Sequence, residues 1–214
     1  MPELENRAAS YENSIFLNCP FDPEYQPMFH ALVFAAYDCG YRPFCALEID
    51  DATEVRIDKI VKMIRSCRLG VHDISRTELD VENQLPRFNM PFELGLFVGA
   101  IRFGATTQKT KMSLILDRDR FRFQKFISDI AGQDIAAHNN DADNAIKALR
   151  NWLAAIPTKA ALPGGAAIVR RYHAFRAEMP DILQRVELEP DEITFPDYVN
   201  MVQTWLVEQP RPAR

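Results

Sequence analysis

Short apolar runs alternating with stretches of helical periodicity constrain this chain most, because strands fed by helices pair in parallel and bury both sheet faces. Ser14-Ile15-Phe16-Leu17-Asn18 is the first such run, ended by Cys19-Pro20-Phe21-Asp22-Pro23, where two prolines forbid continued pairing. From Pro27 to Cys39, Met28, Leu32, Val33, Ala35 and Ala36 recur at helical spacing, and Gly40 stops the helix. A strand over Arg42 to Leu47 follows, then acidic Glu48, Asp50 and Asp51, then a helix over Val55 to Cys67 with Ile57, Ile60, Val61 and Ile64 on one face. Leu69-Gly70-Val71-His72-Asp73 reads as strand three, and Ile74 to Asn89 as a long polar loop of the kind that often carries function. Beyond it the pattern predicts a helix from Pro91, a strand over Lys111 to Leu116, a helix over Phe121 to Ile130, a short strand over Asp134 to Ala137 and a helix over Ala142 to Leu153.

Residues 1–156 are thus expected to form one α/β domain, and 157–214 a linker and C-terminal helical extension. Pro157 to Gly165 reads as the linker, Ile168 to Val186 and Phe195 to Glu208 as helices, and Gln209 to Arg214 as a frayed tail. The extension is a small cap or a subunit contact. Phe195, Tyr198, Val202 and Trp205 offer an apolar face for a homo-oligomer, or pack back on the sheet.

With 47% hydrophobic residues in 214, the chain can bury a real core. A net charge of -5 argues against indiscriminate binding to a polyanion, so nucleic acid is not an expected partner. No apolar run is long enough for a secretory core or a bilayer span; the expected location is cytoplasmic, away from membranes. Cys19, Cys39, Cys45 and Cys67 lack paired spacing and read as reduced core thiols. His30, His72, His138 and His173 are scattered, and no metal or other cofactor is expected.

In a parallel sheet ligands sit at the carboxyl ends of the strands, near the point where strand order reverses. Asn18 to Asp22, Glu48 to Asp51, Asp73 to Arg76 and the entry to the helix Asn89-Met90-Pro91-Phe92-Glu93-Leu94-Gly95 all fall there. Pro91 suits a first helical turn, and Leu94, Leu96, Phe97, Val98 and Ile101 cover nearly every face, so the helix should be buried. Glu93 then points into a cleft, where the helix's positive pole favours an ionised carboxylate suited to nucleophilic attack or to stabilising positive charge. Ordinary N-terminal helix chemistry is the competing reading. Asp73 is a ligand contact or a loop cap, Asn18 a contact or a turn residue, and Pro20 and Phe21 shape a pocket or belong to the core. Arg76 could meet a phosphate or pair with an acid. Arg118, Arg120, Arg122 and Lys125, interleaved with Phe121 and Phe123, form the one basic cluster, which either stacks and holds a nucleotide or is the charged face of a helix.

Phe16-Leu17-Asn18-Cys19-Pro20-Phe21, Val71-His72-Asp73-Ile74-Ser75 and Asn89-Met90-Pro91-Phe92-Glu93-Leu94-Gly95 come in an order that resembles the nucleoside 2-deoxyribosyltransferase-like proteins and the related TIR-like NAD-cleaving domains. The likeness covers roughly Ser14 to Leu116, with Cys19 standing where that family has glycine. It implies a flavodoxin-like parallel sheet of four or five strands flanked by helices. It also implies Glu93 as the catalytic residue at the N-glycosidic bond of a nucleotide or nucleoside, NAD or a nucleoside monophosphate. Asn18, Pro20, Phe21, Asp73, Arg76, Asn89 and Phe92 would contact the substrate. A nucleotide-sensing module without turnover shares the same fold, and the resemblance makes a place in phage defence or nucleotide metabolism plausible for either.

Overall fold

The computed structural model describes residues 11–48, 53–79, 84–86, 88–157 and 161–210. Five strands, β1 (Ser14–Asn18), β2 (Arg42–Phe44), β3 (Leu69–Asp73), β4 (Met112–Asp117) and β5 (Ile135–Ala137), pair throughout in parallel in the order β2-β1-β3-β4-β5. Helices α1 (Gln26–Asp38), α2 (Arg56–Ser66) and α3 (Asn89–Phe103) make the first three crossovers, 3-10 turns lead from β4 to β5, and α4 (Ala142–Ala155) follows β5, giving a flavodoxin-like α/β fold. The chain steps outward from β1 to β2 and then returns past β1 to β3. The topological switch point therefore lies between the ends of β1 and β3.

Both faces of β1 and β3 are buried, and the period of two sorts their side chains. Ile15, Leu17, Cys19, Leu69 and Val71 join the large core beneath α1 and α4, whereas Phe16 joins Ile60, Met63, Ile64 and Phe97 beneath α2 and α3. Gly70 is required on this second face: a Cβ there would stand 2.6 Å from His72 Nε2 and 2.8 Å from the Phe97 ring. At the opposite end of the sheet Lys111 is buried, donating to the Ile64 and Cys67 carbonyls that close α2 and lying over the Phe97 and Tyr11 rings. A cation suits a helix C-terminus, but burial still pushes the Lys111 amine down to about 8.

α1 is buried nearly all round because a second layer covers it. Helices α5 (Gly165–Val186) and α6 (Phe195–Glu208) pack Tyr172, Phe175 and Trp205 around Phe34 at ring-centroid separations of 5.4 to 5.8 Å. Tyr172 and Tyr198 donate to the Pro27 and His30 carbonyls at 3.0 Å. Thr194 and Asp197 close a reciprocal capping box at the start of α6. The apolar face of α6 is thus spent inside the molecule: Tyr198, Val202 and Trp205 are buried against α1 and α5 and are not presented for a subunit contact.

Three further expectations need correction. The chain turns at Ala46 and Leu47, so β2 stops at Phe44. Phe121 to Ile130 is not an α-helix but two 3-10 turns, Arg122–Lys125 and Ser128–Ile130, because Phe121 takes a left-handed φ of 63° and Ile127 an extended one of -147°. Phe123, Phe126, Ile127 and Ile130 share the spacing of a helix face, yet they pack as a small cluster with Ile74, Leu94 and Ile115. Finally, α3 is not buried all round; Phe92, Gly95 and Phe103 lie on an exposed face. No helix among the described residues is long and apolar enough to cross a membrane.

Candidate functional site

The pleat delivers two different polar groups to the carboxyl edge at the switch point. On the α3 side stand Asn18 and His72, both fully buried. The Asn18 amide Nδ2 donates to the Met90 carbonyl at 2.9 Å and meets His72 Nδ1 at 3.1 Å. A carbonyl can only accept, so the amide orientation is set, and His72 Nδ1 must be the unprotonated nitrogen. Its Nε2–H then faces Gly70 and the Phe97 ring, whose centroid lies 4.8 Å away. Burial, and secondarily the charge of Lys111, lowers His72 to about 3, so the ring is neutral and serves to hold Asn18. Asn18 Oδ1 is left buried without a hydrogen-bond partner. An unpaired buried acceptor costs about 1 to 3 kcal/mol, which a ligand hydroxyl or amine would recover.

Met90, Glu93 and Phe97 recur every three to four residues on α3, so they share the stripe that faces the sheet. Met90 and Phe97 touch Asn18 and His72, and Glu93 stands between them at 5% exposure. Its carboxyl is pushed up to about 7 by burial, with Arg56 on α2 opposing the shift. Burial thus opposes the ionisation expected from the helix pole without abolishing it near neutral pH. The helix begins at Asn89, which places Glu93 in its second turn, beyond the free N–H groups, and α3 has no side-chain cap. Near neutral pH Glu93 exchanges between acid and base forms, the condition suited to general acid–base work.

Cys19, Tyr25, Asp73 and His138 form the group on the α1 side. Asp73 accepts from Tyr25 Oη at 2.5 Å through Oδ2 and from the Ser75 amide at 2.8 Å through Oδ1. His138 Nδ1 accepts from the Asn140 amide at 3.0 Å, which leaves the proton on Nε2, 3.1 Å from Asp73 Oδ2 but out of line for a hydrogen bond. Burial and the neighbouring Asp73 charge raise the Cys19 thiol and the Tyr25 hydroxyl well above their ordinary values, so both keep their protons. Asp73 is wholly buried and both of its oxygens are engaged. It braces the loops rather than facing a cleft.

The remaining sequence candidates divide the same way. Arg76 binds Asp22 at 3.2 Å and Glu24 at 2.8 Å, tying the β3 loop to the β1 loop. Pro20 is buried, and Phe21 packs edge-on against Phe29 at 5.4 Å. Asn89 and Phe92 are exposed at the start of α3. Of the basic cluster, Arg118 pairs with Glu78 and Asp119, while Arg122 is drawn inward. It donates to Asp117 Oδ1 at 2.9 Å, Thr77 Oγ1 at 3.0 Å and the Ile74 and Ser75 carbonyls at 3.0 and 2.6 Å. Glu48 pairs with Arg42 at 2.7 Å, and Asp50 and Asp51 lie outside the described residues.

Sequence reasoning missed His72, Tyr25 and His138 as members of these groups. His138 directly follows β5, so the strand-end rule that singled out Asp73 could have found it. Tyr25 carries no such signal, because only the return of the β1 loop brings it to Asp73. Among the described residues no cluster of three or more His, Cys, Asp or Glu side chains is placed to hold a metal ion. Neither a protein-family model, nor a curated protein, nor a solved structure matches this chain.

Proposed function

We propose that the α3 side of this edge cleaves or transfers at the N-glycosidic bond of a nucleotide or nucleoside, with Glu93 as the reacting carboxyl. The observation that carries the reading is a buried glutamate held near 7 on the same stripe of α3 whose Met90 carbonyl fixes Asn18. As the bond to the base breaks, positive charge develops at the anomeric carbon; ionised Glu93 attacks that carbon or stabilises the charge. Asn18 Oδ1, an acceptor without a partner, takes a hydrogen bond from a sugar hydroxyl. NAD and nucleoside monophosphates are the substrates to try first.

A second reading, nucleotide sensing without turnover, draws support from Asp73. With both its oxygens engaged, Asp73 is not free to activate water as a second carboxylate. Incubating the protein and its Glu93→Gln variant with NAD, nucleoside monophosphates and deoxynucleosides, and measuring free base by chromatography, separates the two. Base released by the parent alone supports the enzyme. Saturable binding without product, equal in both proteins, supports the sensor and overturns the first reading.

A further inference from the structure

The solvent face of α3 is as apolar as its buried face, and it has a repeat of its own. Phe88, Phe92, Gly95, Gly99 and Phe103 succeed one another at four, three, four and four residues, the spacing of a single helix face. They lie opposite the stripe of Met90, Leu94, Phe97 and Ile101 that meets the sheet. Phe88 is 63% exposed, Phe92 56% and Phe103 91%. A Cβ built at Gly95 or Gly99 meets nothing within 4 Å. Leu96 and Ala100 flank the same face and, with Val61, Ile64 and Arg65 of α2, wall a groove of about 550 Å³ beside it. Arg102 is the one charged residue on this side of α3.

We infer that this face is a self-association surface, on which α3 packs antiparallel against α3 of a second copy of the chain. Three features select a second copy as the occupant. The face is palindromic about its centre: with a two-fold axis between residues 97 and 98, Phe92 stands opposite Phe103 of the partner copy, Leu96 opposite Gly99, and Gly95 opposite Ala100. Bulky residues thus meet at both ends, and each leucine enters the hollow left by a glycine, as an isologous interface requires. The same axis keeps like charges apart, since Arg102 falls opposite position 93 and the two arginines stand about 13 Å apart along the helices at 1.5 Å per residue. Area is the third. Three phenylalanines exposed to this degree present on the order of 400 Å² of apolar surface. With the groove wall the patch has the size, roughly 300 to 600 Å², of the largest and often functional patch of a monomer, and supplies about half of the roughly 800 Å² per partner of a stable interface.

The close approach of two helices at Gly99 makes the test independent of folding. Gly99→Leu has room in the monomer and replaces a weak helix former, so its thermal midpoint should equal or exceed that of the parent, while its side chain fills the hollow that Leu96 of the other copy would enter. Phe103→Glu lies at an exposed helix end and should also fold as the parent does. Light scattering coupled to size exclusion, run on the full chain from about 1 to 200 μM, should show a parent dimer, and each variant should raise its dissociation constant at least tenfold. Because the native cysteines are buried, a short bismaleimide offers a check on orientation. An equimolar mixture of Phe92→Cys and Phe103→Cys chains should cross-link more than either chain alone. A parent that stays monomeric at 200 μM, variants that dimerise as tightly as the parent, or cross-linking no greater in the mixture than alone would each overturn the assignment.

Discussion

Adjacent residues of the same two strands feed both sides of the carboxyl edge, yet the two sides are finished differently. On the α1 side, Tyr25 and the Ser75 amide each engage one oxygen of Asp73, while His138 Nε2 lies 3.1 Å from it without a hydrogen bond. On the α3 side, Asn18 keeps one buried acceptor open, and Glu93 carries a carboxyl that burial destabilises and no hydrogen bond from a described residue relieves. Saturated polar groups stabilise a fold, whereas unsaturated ones cost stability and persist where something else uses them. The difference teaches that a polar residue at a strand end is not evidence of function until its own valences have been counted.

Breaking the Asp73 cluster should have the largest effect. Asp73→Ala leaves the Tyr25 hydroxyl and the Ser75 amide without their acceptor in a buried site, and a loss of about 4 kcal/mol is expected in urea unfolding followed by circular dichroism. A loss under about 1 kcal/mol would mean that the cluster does not brace the loops. Arg122→Met comes next, at about 3 kcal/mol, since it strands the fully buried Asp117 carboxylate and frees two loop carbonyls. Restoring Lys at this position should recover only part of the loss, because an ammonium cannot reproduce the fork.

The opposite sign is expected at Glu93. Its folded value of about 7 lies above the ordinary 4.5, so between those pH values the folded state binds more protons than the unfolded one. Stability should therefore fall as pH rises from about 4.5 to 7 and level off above. Glu93→Gln removes this dependence and should be more stable than the parent at pH 8 by on the order of 2 kcal/mol, while abolishing base release. Thermal melts across pH 4 to 9 check the slope; parallel curves for parent and variant would show that Glu93 is not the strained group. Smallest is Asn18→Ala, about 1 kcal/mol in stability for the bond to Met90, but with a clear loss of nucleotide affinity by calorimetry if the open acceptor meets the ligand.

Periodicity located most of the architecture. β1 and β3 have the bounds read from their apolar runs, α6 runs from Phe195 to Glu208 as its pattern predicts, and Pro91 lies in the first turn of α3. These features are local: a run of apolar residues, a proline or a stop at glycine acts within a few positions of itself. Where two local solutions share one spacing, the pattern misled. Phe123, Phe126, Ile127 and Ile130 suit a helix face and a pair of 3-10 turns alike, and packing beneath Ile74 and Leu94 chose the turns.

The site was legible as a list of residues, not as a set of roles. Strand ends named Asn18, Asp73, Arg76 and Glu93 from sequence, because the parallel arrangement alone brings those ends together. It could not say that Asp73 and Arg76 would find partners 48 to 54 residues away in the β1 loop, while the acceptor of Asn18 would find none. Nor could it give the state of Glu93: position in a helix suggested an anion, and desolvation between α3 and the sheet outweighed it. Hydrogen bonding and burial depend on which distant atoms arrive at the same point, so charge and availability were decided by the tertiary structure. The alternation of apolar and polar residues determined only which elements would meet, and at which edge.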